Sequence, residues 1–349
     1  MKTKVSIIMP FVNEWPQIAF TVRAAHEDLR KIDHEIVVID NYCQEVENQG
    51  NLPDRGHSRY MLDKVCKGFY NVLDDEKEKY KMIKGHMEAQ ANMHDWLKYV
   101  KYDKKLSHWN AKNVGVQASD GDILLFLDAH VIASEGLLNN ALNTYSVGGT
   151  SRATYHLPLS YHILEEKRLV YKMVCDEEAG VLHYSFMTMP HTPELLLEVP
   201  CMSTCGMIMW RKIYDRLGGW PEGMGIYGGG ENFINFVCAA GGIKKYIFNG
   251  GTLHHHGDRR GYHFNWYDYH CNRMIATICF GGSKWGERYK KSLGVKATTD
   301  RMMNEAFACY DEHKDKMKVF DGVVTPIEDW LKEWEDKRAI GAETEKIFG

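Results

Sequence analysis

A chain of 349 residues with 43 Lys and Arg against 47 Asp and Glu has a formal charge of −4, which excludes the global basic field expected of a nucleic-acid-binding protein. Its 44% hydrophobic and 26% charged content excludes a disordered or fibrous chain and leaves one large domain or two smaller ones. Nine cysteines without a Cys-x-x-Cys pair, no leader-like N-terminus and no 18-residue apolar run lead us to expect reduced thiols, no membrane span and a cytoplasmic setting, bacterial or viral-host.

Val5 to Met9 is β-branched and apolar, so it reads as a strand that Pro10 ends. Asn13 is a candidate cap, with Pro16 near the first turn, for a helix whose apolar face is Ile18, Val22, Ala25 and Leu29. Glu35 to Asn41 is a second buried strand, and strand–helix–strand in this space is a βαβ unit. Asp40, at the carboxyl end of that strand, reads either as an acceptor from a nucleotide base or ribose or as a turn residue. Residues 44–107 are the least legible. Asp74 to Lys84 is a charged, solvated run, Met82 to Tyr102 reads as further helix, and His86 and His94 read as ordinary surface or core histidines.

Trp109 to Ala118 reads as a helix, and Ser119-Asp120-Gly121 turns it into Ile123-Leu124-Leu125-Phe126-Leu127-Asp128-Ala129-His130. Five apolar residues in a row mark a strand buried on both faces, and α/β sheets bind ligands outside the carboxyl ends of such strands. Asp128 and His130 lie two apart and would share a side if the strand continued, an oxygen and a nitrogen ligand suited to manganese or zinc. The alternative is a strand ending in a turn with two solvated polar residues.

Downstream, Glu135 to Leu142 and Lys212 to Leu217 read as helices, residues 151–161 as short strands, and Cys205 to Trp210 as a buried strand. A glycine- and aromatic-rich stretch from Trp220 to Gly230 precedes a helix that begins at Glu231-Asn232; glycines there permit close backbone approach to a ligand. Lys245 to Phe248 is strand-like and leads to His254-His255-His256, among which a metal ligand is expected. In an extended segment His254 and His256 share a face and His255 points away. Arg259 and Arg260 read as a diphosphate clamp or as a surface pair. Asn265 to Phe280 and the tail from Asp300 read as helix. Thr325-Pro326-Ile327-Glu328 is a capping box that opens a helix with Trp330 and Trp334 on one side.

Four segments carry a resemblance in register. Phe11-Val12-Asn13-Glu14, Phe126-Leu127-Asp128-Ala129-His130, Gly229-Gly230-Glu231-Asn232, and His256 with Arg259 three residues on are similar to motifs of GT-A-fold glycosyltransferases, in particular the catalytic domain of the polypeptide N-acetylgalactosaminyltransferases. The resemblance spans roughly residues 5–275. It implies an α/β GT-A fold, Rossmann-like, with a mostly parallel central sheet flanked by helices, over residues 1–284, followed by a helical C-terminal extension over 285–349. It implies metal-dependent transfer of a sugar from a UDP-sugar to a hydroxyl acceptor, with retention. Asp128, His130 and His256 would bind Mn2+ or another divalent cation. The segment Phe11, Asn13 and Glu14 would cradle uridine, Asp40 would lie near the base, Arg259 would hold the diphosphate, and Glu231 and Asn232 would face the donor sugar and acceptor. Tyr227 replaces the family's Trp, Gly228 is inserted, and Cys205-Gly206 replaces its paired glycine, so the donor sugar is left open.

Two other readings stand beside this one. An inverting GT-A enzyme needs a base; Asn232 cannot serve, so Glu231 would. A non-catalytic nucleotide-sugar or glycan-binding protein would need neither. Protein and glycan acceptors rank ahead of a hydroxylated nucleic-acid base, for which Lys98, Lys101, Lys104 and Lys105 form a local basic cluster.

Overall fold

Seven consecutive buried residues, Val5–Phe11, form β1 in the interior of a sheet rather than at its rim. Pro10 does not end the strand. Its neighbours alternate between partners, and the side that Pro10 faces has already lost its pairing, since the β4 register stops at Ile8↔Phe126 while the β2 register continues to Phe11↔Asp40. The missing N–H therefore breaks no ladder. The computed structural model describes residues 3–14, 17–49, 76–148, 152–161, 168–176, 181–189, 191–255, 262–294, 296–322 and 324–334. Helix α1 (Gln17–Asp28) crosses to β2 (His34–Asp40), parallel to β1, as the βαβ pattern requires. α2 (Gln44–Gln49) and α3 (Glu76–Met93) follow.

The helix expected to reach Tyr102 stops at Met93, and Leu97–Lys101 is an edge strand, β3, parallel to β2. α4 (His108–Gln117), capped by the Ser107 side chain on the N–H of Asn110, leads into β4 (Ile123–Phe126). The remaining strands are β5 (Val131–Ala133), β6 (Ala153–His156), β7 (Leu159–Ser160), β8 (Leu169–Asp176), β9 (Val181–Thr188), β10 (Leu196–Glu198), β11 (Met207–Trp210), β12 (Lys244–Phe248) and β13 (Leu253–His255). The main sheet has the order β10-β12-β6-β11-β4-β1-β2-β3, and the half from β4 to β3 is parallel throughout. A smaller sheet, β5-β13-β7-β8-β9, brings β13 and β8 toward the pocket described below.

Strand periodicity divides the core into two layers. Ile8, Val37, Ile39, Leu124 and Phe126 face one side, where they meet α4, α6 (Arg211–Leu217), α7 (Gly230–Ala240), α8 (Trp266–Leu293) and α9 (Lys296–His313). Ile7, Met9, Ile36, Val38 and Leu125 face α1, α3 and α5 (Leu137–Gly148) on the other. The C-terminal segments share the first of these cores, to which Trp285, Met302, Met317 and Trp330 all belong. Among the described residues no helix is long and apolar enough to cross a membrane.

Candidate active site

The pocket lies at the carboxyl ends of β1 and β4, and the chain builds it one turn at a time. At the end of β1 the Glu14 carboxylate folds back to accept from the N–H groups of Val12 (2.6 Å) and Asn13 (3.0 Å), which fixes the backbone of that turn. Phe11, Val12 and Glu14 border the pocket, and Asn13 is buried beside them. Asp40 ends β2 nearby with its carboxylate fully buried. It accepts from the backbone N–H of Tyr42 (2.9 Å), the Tyr80 hydroxyl (2.7 Å), the Lys101 ammonium (3.1 Å) and the Tyr99 hydroxyl, so both of its oxygens already have partners. Asn41, the next residue, borders the pocket and ties β2 to the start of α4 by accepting from the N–H of Ser107 (2.8 Å).

β4 ends at Phe126, so Asp128 and His130 project from the turn that follows rather than from a continuing strand. They nonetheless converge. His255 Nε2, from β13, lies 3.3 Å from Asp128 Oδ2 and 3.3 Å from His130 Nε2. One ligand atom from each of the three falls within 4.8 Å of the others. Two imidazole nitrogens and a carboxylate oxygen gathered within 4.8 Å, with His255 Nε2 at 3.3 Å from each of the other two, make a donor set that fits a divalent cation whose ligands stand at about 2.1 Å. His108 Nε2 approaches the other Asp128 oxygen, Oδ1, at 3.8 Å. Burial alone would push the Asp128 carboxyl up. The His255 hydrogen bond, then the charges of Lys112, His108 and His130, outweigh burial and hold it well below the usual carboxylate range.

The expected third ligand, His256, and the expected diphosphate clamp, Arg259 with Arg260, lie outside the described residues. Among the described residues the ring that meets Asp128 and His130 is His255, which the alternation argument had pointed away.

Across the pocket stands Glu231, in the first turn of α7. Gly229 (φ 67°) takes a left-handed backbone just before the helix, and a Cβ there would lie 2.3 Å from Asn272. A Cβ on Gly230 would lie 2.2 Å from the Trp109 ring, which sits against this turn and donates to the Gly228 carbonyl (3.1 Å). Glu231 Oε1 accepts from Ser203 Oγ (3.0 Å) and the Thr204 N–H (3.3 Å), while Oε2 has no hydrogen bond among the described residues. Burial raises the Glu231 carboxyl above its usual range, against the pull of Lys112 and these two donors. Asn232 is buried on the same helix and does not border the pocket.

The walls are aromatic: Trp109, Tyr161, Tyr171, Tyr227 and Tyr262 line them, with His108 edge-on to Trp109 and to Tyr227. Sequence reasoning did not single out His108, Tyr161, Tyr171, Ser203 or Thr204. They arrive from the α4 terminus, the small sheet and the segment before β11, and no motif or periodicity marks them.

No family model matches the chain. N-acetylgalactosaminyltransferase 6 of Drosophila melanogaster is 22% identical over 241 residues, which is 64% of this chain and 34% of that protein. The solved structure of GalNAc-T7 with UDP, GalNAc and Mn2+ has a TM-score of 0.60 at 15% identity, over 95% of this chain and 56% of that one. S. aureus TarS in complex with UDP-GlcNAc gives 0.47 at 11% identity, over 91% and 90%. The chain has the GT-A glycosyltransferase fold. It spans about a third of the curated relative it matches and just over half of the GalNAc-T7 chain.

Proposed function

We propose that this protein is a metal-dependent glycosyltransferase that moves a sugar from a UDP-sugar to a hydroxyl acceptor, a protein or glycan ahead of a nucleic-acid base. The observation that carries the reading is the convergence of Asp128, His130 and His255 on one side of a pocket whose other side presents Glu231. The GalNAc-T7 structure of the same fold was solved with UDP, GalNAc and Mn2+, which supports this donor and metal. A divalent cation, when bound, neutralises charge on a leaving diphosphate.

The chain's own groups do the rest. The turn Phe11–Asn13, pinned by Glu14, offers backbone to the uridine, with Asp40 beside it. Asp128, His130 and His255 would hold the cation, with His256 as a further ligand and Arg259 as the diphosphate clamp in the reading that the motif spacing supports. Glu231 faces donor sugar and acceptor, with Asn232 next to it on the same helix. We favour retention of configuration from the motif resemblance. One observation favours inversion: among the described residues Glu231 has one oxygen without a hydrogen bond, and burial raises its proton affinity, as a base for the acceptor hydroxyl would need.

The test is a panel of UDP-sugars with Mn2+, reading UDP release with and without chelator, followed by the anomeric configuration of any product. Release that needs the metal is the expected result. No release from any UDP-sugar, with or without acceptors, would leave a binding protein as the better reading.

A further inference from the structure

Lysine is among the side chains least often fully buried, because its ammonium keeps water unless partners replace it. Lys112, on α4, is fully buried. Its Nζ donates to Thr204 Oγ1 at 2.9 Å and lies 5.3 Å from the Trp109 ring centroid, 5.7 Å from Trp220 and 6.0 Å from Phe126. One hydroxyl and three ring faces do not replace the solvation of an ammonium. Burial therefore lowers its proton affinity, and the charges that oppose this are Asp128 and Glu231, the two carboxylates facing each other across the pocket, with Cys205 after them.

Thr204 joins the two sides. Its hydroxyl takes the ammonium, and its backbone N–H gives to Glu231 Oε1. We propose that Lys112 is a positioning residue of the pocket: a buried counter-ion that fixes Glu231 through Thr204 and tempers the pull of Asp128 on a free cation. This rests on the reading of Glu231 as the group that faces donor sugar and acceptor. Among the described residues, the titratable groups that act on Glu231 are Lys112 from α4, Asp128 from the turn after β4, Tyr161 and Tyr171 from the small sheet, and Cys201 and Cys205 from the segment before β11. Lys112 is the cation among these described groups, so without it Glu231 holds a proton more tightly.

Lys112→Met keeps the stem and its ring contacts but removes one partner of a buried charge cluster, which costs stability because Asp128 and Glu231 lose a compensating charge. We expect a lower Tm, Mn2+ alone binding roughly fivefold tighter by calorimetry, and an acid limb of kcat displaced upward by about one pH unit. Unchanged or weaker Mn2+ binding, or an unmoved acid limb, overturns the proposal. Should that variant fail to fold, Thr204→Val keeps the ammonium and removes its hydrogen bond. A lower kcat at unchanged donor KM is then expected, and wild-type kcat overturns the proposal. If the wild type releases no UDP from any donor, the functional reading fails, while the Mn2+ titration still decides the effect of Lys112.

Discussion

In an extended segment a shift of one residue exchanges every side chain between faces, so motif spacing and strand geometry can give different ligands for one loop. That is the position of the three adjacent histidines. Spacing to Arg259 selects His256, whereas the register of β13, with His255 opposite Val131 and His254 opposite Ile132, turns His255 toward Asp128 and His130. Calorimetry with Mn2+ alone separates the contributions. His130→Ala and His255→Ala should each weaken binding by at least about tenfold, since each removes a nitrogen from a three-residue donor set. If His255→Ala binds Mn2+ like the wild type and His256→Ala does not, the cation is held by the motif's histidine and the described triad is only its neighbourhood.

The elements that sequence made legible are those whose signal is local. β1, α1, β2 and β4 announce themselves by period and by uninterrupted apolar runs, and the start of α7 by its glycines. β3 was hidden because Leu97–Lys101 is short, follows a helix closely and earns its place only through partners: Tyr99 and Lys101 both reach Asp40 on the neighbouring strand. The asymmetry recurs in the site, where Asp128, His130 and Glu231 sit in readable motifs but the groups that hold them come from far along the chain. The loop before α7 is the clearest case. Asn272, 1% exposed on α8, accepts from the Gly225 N–H (2.8 Å) and donates to the carbonyls of Gly225 (3.4 Å), Tyr227 (3.2 Å) and Gly228 (3.0 Å). From α9, Cys309 packs so closely on Gly223 that a Cβ there would lie 2.8 Å from its sulfur. Asn272→Ala takes the partner from the half-buried Gly225 N–H and Tyr227 carbonyl, at about 1–3 kcal/mol for each one left unpaired, while the Gly228 carbonyl keeps the Trp109 indole. We expect a lower Tm and a loss of turnover that exceeds any loss of UDP affinity, because the loop carries Tyr227 and Glu231 rather than the metal ligands. Donor affinity falling in step with turnover would mean that α8 braces the whole pocket and not this loop.

Across the whole molecule, histidines held in the neutral form, His156 and His313 buried and His270 half-buried, set how stability responds to acid. His156, 1% exposed on β6, donates from Nδ1 to the Ser203 carbonyl (3.2 Å), which can only accept; its Nε2 therefore accepts from the Thr154 hydroxyl (2.9 Å). Burial, with the charge of Lys245 in support, pushes its pKa down to about 3 despite the Ser203 bond. Burial likewise pushes His313 to about 4, aided by Lys316, and His270 to about 4, aided by Arg273. The unfolded chain binds a proton on each near pH 6.5, where the folded chain refuses it. Stability is thus full above about pH 6.5 and falls as pH drops from there toward the folded values. Glu35, held at about 2 by Lys98, Ser6 and Asp120 against its own burial, adds a further loss only below the ordinary carboxylate range. Between pH 7 and 5 the histidines therefore dominate, and His156 alone contributes a loss of about 2 kcal/mol by linkage. His156→Gln can keep a donor toward Ser203 and an acceptor toward Thr154 but cannot titrate. Urea denaturation at pH 7 and pH 5 should show a smaller drop in unfolding free energy for this variant than for the wild type, whatever its absolute stability. An identical drop in the two proteins would mean that His156 takes up no more protons on unfolding than a solvated histidine does, and that its buried, neutral state is not what makes the fold sensitive to acid.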